Sequence, residues 1–151
     1  KGLEQKIVQA RARFGNTLVP TTSKGVKAVY SAIKHGEIIA ILADQDPGLG
    51  NGVFAPFYNI PTLTMTLLSK IAQKTNAPTF TLMAKRVEDG FDIIWEKCED
   101  KDLYDSDINK AATALNKQIE HCINQDITQY QWSYKRFKNR PEGEDEFYKK
   151  L

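Results

Sequence analysis

The sequence predicts an α/β fold with a mixed, largely parallel sheet flanked by helices. Segments with apolar residues at helical spacing alternate along the chain with short apolar runs, which is the pattern of this fold class. The run "EIIAILA" at 37–43 is almost continuously apolar and is bounded by turn residues. Such a run is typical of a strand covered on both faces. A length of 151 residues suits one domain with a single core.

The first part of the chain predicts two helices separated by a short strand. Apolar residues recur at helical spacing in "KGLEQKIVQARARFG". They are Leu3, Ile7, Ala10 and Phe14. The segment "TLVP" predicts the strand, and Thr22 or Ser23 can cap the second helix, which Gly36 ends. Because the chain opens within a helical pattern, we expect it to be a fragment of a longer protein, truncated at its amino end.

Beyond the run at 37–43, prolines and caps predict the next elements. Pro56 and Pro61 interrupt "GVFAPFYNIPT", which therefore predicts an edge strand or an ordered loop rather than a central strand. Thr62 is predicted to cap a helix that continues to about Thr75.

The remaining elements are a hairpin and the longest helix. The segments "PTFTLMAKRV" and "FDIIWEK" alternate with period two around Glu88, Asp89 and Gly90, which predicts a β-hairpin. Ser106 is predicted to cap the helix that follows. Its apolar stripe comprises Ile108, Ala112, Leu115, Ile119 and Ile123.

The composition is that of an ordinary globular protein. Hydrophobic residues make up 41% and charged residues 26%, and the net charge of +2 does not by itself argue for nucleic acid. The two cysteines, Cys98 and Cys122, have no CxxC spacing, which argues against a disulfide framework or a zinc site. No apolar run reaches the roughly 18 residues of a membrane-spanning helix.

The loop after the predicted strand at 37–43 is the first candidate site. It carries Asp44 and Asp46, one residue apart, followed by Gly48. In open α/β sheets, ligands bind outside the carboxyl ends of strands, where this loop is expected. Three interpretations remain open at this point: simple turn chemistry, contact with a ligand, or a D-x-D magnesium site as in nucleotide-sugar transferases.

His121 and Asp126 reproduce the H-x4-D spacing of an acyltransferase dyad. Positions five apart on a straight helix are about 140° apart around its axis, because a turn has 3.6 residues. His121 also falls on the polar face of the predicted helix. We therefore interpret this spacing as coincidence.

The second candidate site is the aromatic–basic tail, residues 128–151. Aromatic and basic side chains alternate there without an acid until Glu142. The candidate contact residues are Trp132, Lys135, Arg136, Lys138 and Arg140. Such a pattern suits single-stranded nucleic acid or a membrane interface, and it equally suits aromatics packed in the core with cations facing water.

Two long segments resemble a known family. "GVKAVYSAIKHGEIIAILADQDPGLGNGVFAPFYNIPTLT" resembles the central part of the late acyltransferases of bacterial lipid A synthesis, the lauroyl and myristoyl transferases within the glycerolipid-acyltransferase fold group. "QYQWSYKRFKNRPEG" resembles their carboxyl-terminal signature, and "NAPTF" is similar to the strand of their fourth block. The likeness extends from about Leu3 to Tyr148.

The resemblance implies a reaction and its partners. The family transfers an acyl chain from acyl carrier protein to a phosphorylated lipid A precursor, at the cytoplasmic face of the inner membrane. It implies no cofactor, no metal and no nucleic acid partner. The family's catalytic histidine and acidic residue form an H-x4-D/E block expected upstream, so residues 1–151 are expected to be the carboxyl-terminal part of one acyltransferase domain, without a catalytic residue.

The resemblance also assigns roles to residues of this chain. Asp44, Asp46 and Gly48 match the block that shapes the acceptor pocket. The tail residues are expected to contact the membrane or the acceptor. Arg13 is a further candidate for substrate binding, but from its position on the first predicted helix and not from the resemblance; salt bridging and binding of an anionic headgroup or carrier protein remain open.

Overall fold

A computed structural model describes residues 2–20 and 22–149. The chain divides into two compact units, Lys1–Ala40 and Ile41–Leu151.

The first unit contains two helices, α1 (Gly2–Ala12) and α2 (Ser23–Lys34), which confirms both predictions. The Thr22 hydroxyl caps α2 by accepting a hydrogen bond from the Gly25 N–H at 3.3 Å. Gly36 follows α2 with a φ of +76°, a conformation that favours glycine. Of the stripe predicted on the first helix, Ala10 and Phe14 are exposed, and the side chains of Leu3 and Ile7 lie outside the described residues.

Two of the predicted strands are absent from the described residues. Neither "TLVP" nor the run at 37–43 pairs with another strand. A strand needs a neighbour that accepts and donates its backbone hydrogen bonds, and no such neighbour is provided here. Two apolar side chains of the run, Ile38 and Leu42, are 87% and 51% exposed, whereas the others are at least partly exposed, and of these Ala43 packs against the core.

The second unit contains two small sheets instead of the predicted, largely parallel one. Strands β1 (Gly52–Phe57) and β2 (Ile60–Met65) pair in one antiparallel sheet. Strands β3 (Phe80–Val87) and β4 (Gly90–Lys97) pair in the other. That prediction is wrong because each pair is joined by two residues, whereas parallel strands require a long crossover. The broader expectation of helices combined with strands agrees with the structure.

The first hairpin corrects the predicted start of the next helix. Thr62 pairs with Ala55 inside β2 and caps nothing; helix α3 begins later and spans Leu67–Thr75. The turn residues Tyr58 and Asn59 both have positive φ, which matches the primed turns of two-residue hairpins. The second hairpin turns at Glu88 and Asp89, as predicted.

The longest helix, α4 (Ile108–Asn124), organises the core of the second unit. Its cap is Asp107 rather than the predicted Ser106, since the Asp107 carboxylate accepts from the N–H of Asn109 at 2.9 Å. The predicted apolar stripe is largely confirmed: four of its five members are buried and Ile108 is partly covered. The core cluster consists of Phe57, Cys98, Leu103, Ala114, Leu115, Ile119, Ile123 and Phe137.

Over the described ranges, every helix is too short or too polar to cross a bilayer.

Candidate functional site

Asp46 is the centre of the loop predicted as the first candidate site. Its side chain is 0% exposed, and one carboxylate oxygen accepts from the Gly48 N–H at 2.8 Å. Gly48 has a φ of +79°, which a residue with a side chain rarely adopts. Asp46 and Gly48 therefore form a local turn, as the turn interpretation predicted.

The same carboxylate joins the loop to the aromatic–basic tail. Its second oxygen accepts from Nδ2 of Asn139 at 2.8 Å, and Nζ of Lys138 lies 3.9 Å from the first oxygen. The backbone N–H of Asp46 donates to the hydroxyl of Tyr134 at 2.9 Å. The two motifs that carry the family resemblance, 88 to 93 residues apart along the chain, thus meet at one buried carboxylate.

Arg136 lies in the interior of the second unit. It is 2% exposed, and Nη1 donates to the Leu63 carbonyl at 2.6 Å. Its guanidinium carbon lies 5.6 Å from the centroid of the Phe57 ring. Desolvation lowers the pKa of Arg136. The sequence placed this residue among the membrane or acceptor contacts, but its position shows that it attaches the tail to β2 instead.

The remaining tail candidates differ in exposure. Trp132 is partly exposed, and its indole N–H donates to the Ile127 carbonyl at 2.8 Å. Nη1 of Arg140 donates to the Pro61 carbonyl at 2.6 Å, and its guanidinium pairs with Glu144. Lys135 and Lys138 are exposed. Among the five tail candidates, the exposed ones are therefore Trp132, Lys135 and Lys138.

Aromatic packing explains why the tail is ordered in this position. Phe137 is buried, with its ring centroid 5.9 Å from that of Phe57 and 4.6 Å from that of Phe147. Each aromatic side chain of this size buries a large apolar area. The interpretation that tail aromatics pack in the core therefore holds for Phe137.

Asp44 differs from Asp46 in having an unengaged carboxylate. Within the ranges 2–20 and 22–149 its side chain has neither a hydrogen bond nor an ion pair. Its charge nevertheless acts on the interior. Desolvation, reinforced by Asp44, raises the pKa of Tyr130 to about 12. The Tyr130 hydroxyl is buried without a hydrogen-bond partner among the described residues.

We expect Tyr130 to titrate later than an ordinary tyrosine when the folded chain is brought to high pH. The folded state retains the phenolic proton more strongly than the unfolded chain. The contribution of Tyr130 to the free energy of unfolding is therefore complete below about pH 10 and is lost between about pH 10 and 12. Absorbance at 295 nm and urea unfolding across this range measure both effects. The Tyr130→Phe variant should show a flatter decline of stability, and an unchanged decline would contradict the assignment.

Asn139 and Tyr134 are site residues that the sequence interpretation missed. Both lie inside "SYKRFKNRP", which was identified for its cations and rings. The polar partners of a buried carboxylate can be recognised only when the tertiary contact is known.

Arg13 belongs to the first unit and directly follows α1. Its guanidinium lies 5.5 Å from the centroid of the Phe14 ring, and the residue is exposed.

His121 and Asp126 bind different partners. Nε2 of His121 lies 3.1 Å from a Glu96 carboxylate oxygen. Asp126 accepts from the Thr128 hydroxyl at 2.6 Å, and this hydrogen bond is the main cause that lowers the pKa of Asp126. The two side chains thus do not form a dyad with each other. Burial raises the thiol pKa of both cysteines, which keeps them protonated near pH 7. Over the described ranges, no three His, Cys, Asp or Glu side chains are grouped as a metal would require.

Comparison with known proteins identifies relatives over most of the chain. A family model described as "Bacterial lipid A biosynthesis acyltransferase" matches residues 1–139. The lipid A biosynthesis palmitoleoyltransferase of Escherichia coli (strain K12) is 30% identical over 145 residues, which cover 93% of this chain and 46% of that protein. The lipid A biosynthesis lauroyltransferase of the same organism is 32% identical over 123 residues, or 80% of this chain and 40% of that protein.

A lipid A biosynthesis acyltransferase of Haemophilus influenzae is 30% identical over 140 residues, or 89% of this chain and 44% of that protein. The chain therefore spans less than half the length of these relatives. The family model covers almost every residue that carries the two motifs, including Asp46 and Asn139. The resemblance inferred from those motifs is confirmed, and the chain belongs to the family of bacterial lipid A biosynthesis acyltransferases.

Proposed function

We propose that this chain is part of an enzyme that transfers a fatty acyl chain from acyl carrier protein to a phosphorylated lipid A precursor. Family membership supports the reaction class. The observation that carries the proposal to specific residues is the meeting of the two family motifs at the Asp46 carboxylate. A contact across some 90 residues between the Asp46 loop and the basic tail suits the wall of a binding pocket.

The two loop aspartates would have different roles. Both oxygens of Asp46 are engaged by Gly48 and Asn139, so this residue would hold the loop in shape. The unengaged carboxylate of Asp44 would accept hydrogen bonds from sugar hydroxyls of the acceptor. Direct contact of Asp44 with phosphate would be repulsive. Lys138, which lies at the same cluster and is half exposed, is the better candidate for a phosphate.

The base that activates the acceptor hydroxyl would be the histidine of the family's H-x4-D/E block, outside these 151 residues. That histidine would remove the proton from a hydroxyl of the acceptor, and the resulting oxygen would attack the thioester carbonyl. The C–S bond would then break, and the thiolate of the carrier protein would leave with the proton held by the imidazolium. An acidic partner would orient the imidazole. The separate engagement of His121 by Glu96 and of Asp126 by Thr128 supports assigning no such role to them.

The surface of the tail would face the membrane from which the acceptor is taken. Trp132 suits the headgroup region, and Lys135 and Lys138 suit anionic lipid. We place this surface at the cytoplasmic face of the inner membrane. Arg13 is retained as a candidate contact for an anionic headgroup or for the acidic groups of a carrier protein.

The geometry offers less support to the two other function classes. A D-x-D magnesium site would have to displace the hydrogen bonds that occupy both oxygens of Asp46. A single-stranded nucleic acid site would need a basic surface. However, Arg136 is buried and Arg140 is paired with Glu144, which leaves only two exposed lysines among the tail candidates.

We expect the 151-residue chain alone to show no acyl transfer, whereas the chain extended by its natural upstream coding sequence transfers acyl groups. The measurement is incorporation of a radiolabelled acyl chain from acyl carrier protein into a lipid A precursor. Substituting the histidine of the upstream block by alanine in the extended protein is the control and should abolish turnover. Turnover by the 151-residue chain itself would contradict the proposal.

A further inference from the structure

The β3–β4 hairpin has one face that is both apolar and exposed. We call it the outer face; its members are Phe80, Leu82, Ala84, Arg86, Phe91, Ile93, Trp95 and Lys97. The register places them on one side, because residues two apart on a strand share a face. Its five largest apolar side chains are 48–58% exposed. Arg86 lies at one end of this face and Lys97 at the other.

The opposite, inner face of the hairpin carries the more polar residues and packs against α4. The Thr81 hydroxyl accepts from the Gln118 amide at 3.2 Å, and Glu96 accepts from Gln125 at 3.1 Å. His121 approaches the other Glu96 oxygen. A half-solvated antiparallel sheet normally shows the reverse arrangement, with its apolar side chains against the helix and its polar ones toward water. The hairpin is therefore patterned for cover on both faces.

The energetics favour a partner on the outer face. Removing apolar side chains from water stabilises a protein, and this face presents five adjacent ones that are each about half exposed. Contiguous apolar patches of this kind mark an interaction site on a folded protein. A two-stranded sheet is also marginal unless further structure packs on it.

The chain itself indicates where the cover comes from. It spans 46% of the length of the palmitoleoyltransferase that it matches over nearly all its residues, so in that relative more than half of the polypeptide lies outside the matched region. We propose that the outer face of the β3–β4 hairpin is an internal interface of the longer protein, covered by an apolar surface of the polypeptide outside these 151 residues. A carboxylate of that polypeptide would pair with Arg86, since Lys97 is already paired with Glu99. This inference does not depend on the reaction proposed above.

Photo-crosslinking in the longer protein identifies the polypeptide that packs against the outer face. Trp95 is replaced by p-benzoylphenylalanine in the protein expressed from its complete coding sequence, and the crosslinked peptides are mapped by mass spectrometry. We expect crosslinks to residues of the same polypeptide that lie outside the 151-residue sequence. Crosslinks to a second copy of the chain, crosslinks to lipid, or the absence of any crosslink would each overturn the proposal.

A pair of isoleucines provides a matched test of burial. Ile93 lies on the outer face and Ile127 lies outside it, and their exposures in this chain are 54% and 49%. In the longer protein, Ile93→Asp should lower Tm by roughly 5–10 °C, because an unpaired carboxylate would be buried there. Ile127→Asp should lower it by less than about 2 °C. Equal shifts for the two variants would overturn the proposal.

Discussion

Replacing Asp46 by alanine is expected to lower the free energy of unfolding of this chain by about 2–4 kcal/mol, because two donors lose their acceptor in a buried position. The donors are the Gly48 N–H and the Asn139 amide, both at 2.8 Å. In the longer protein the same change should reduce acyl transfer by at least about tenfold, since the loop and the tail would no longer hold each other. Urea unfolding and an acyl-transfer assay measure the two effects.

Asp44 supplies the matched control, two residues away in the same loop. Its carboxylate has no partner within the described ranges, so Asp44→Ala should change the free energy of unfolding by no more than about 0.5 kcal/mol. Its effect on acyl transfer should appear mainly in the affinity for the acceptor. If Asp44→Ala and Asp46→Ala destabilised the chain equally, the buried contact would not be the cause.

Exchanging the side chains of Asp46 and Asn139 distinguishes the loss of their direct contact from general disruption of the loop. Asn139→Asp alone would place two carboxylates in contact, and their charges would repel each other. The double variant Asp46→Asn with Asn139→Asp would restore one acceptor and one donor. A double-mutant cycle should therefore give a favourable coupling of about 1–3 kcal/mol. Additive effects of the two single changes would argue against a direct contact.

Local sequence patterns correctly predicted the secondary-structure elements that depend only on neighbouring residues. The two-residue hairpin at Glu88 and Asp89 and the apolar stripe of α4 were both recovered, because turn chemistry and helical period depend on neighbouring residues. The start of α3 was wrong because Thr62 is a plausible helix cap by sequence, yet pairing with Ala55 keeps it in β2. Tertiary context overrode the local preference there.

Nonlocal information was the part that the sequence could not supply. The run at 37–43 has the composition of a doubly covered strand, but a strand exists only where another strand pairs with it. The residues of the candidate site also fall into those that the sequence identified and those that only the tertiary contacts revealed. The sequence identified Asp44, Asp46 and Gly48, whereas Asn139 and Tyr134 became evident only from contacts across 88 to 93 residues. Arg136 is a residue type expected at the surface, yet it is buried, and it donates a hydrogen bond to the Leu63 carbonyl of β2.

The largest loss of stability is expected from Asn116→Asp, at about 4 kcal/mol near pH 7. Asn116 is 0% exposed, and its amide nitrogen donates to the Pro56 carbonyl at 2.9 Å and to the Thr64 hydroxyl at 2.8 Å. A carboxylate in this position would lose both donated bonds and would be a charge removed from water. Because the Thr64 hydroxyl also receives a 3.5 Å contact from Arg136, the change should loosen the attachment of the tail as well.

The pH dependence of this variant distinguishes a buried charge from a mere loss of packing. Desolvation would raise the pKa of the new carboxyl in the folded state above its unfolded value of about 4. The folded variant would then bind a proton that the unfolded chain has released, so its stability should fall as pH rises from about 4 to 7. Asn109→Asp, the same change at an exposed site in the first turn of α4, should be neutral or slightly stabilising, since a negative charge there is favoured by the helix dipole. Urea unfolding at several pH values measures both variants. A deficit for Asn116→Asp that stays constant from pH 4 to 7 would show that the side chain is hydrated, and would contradict its place in the core.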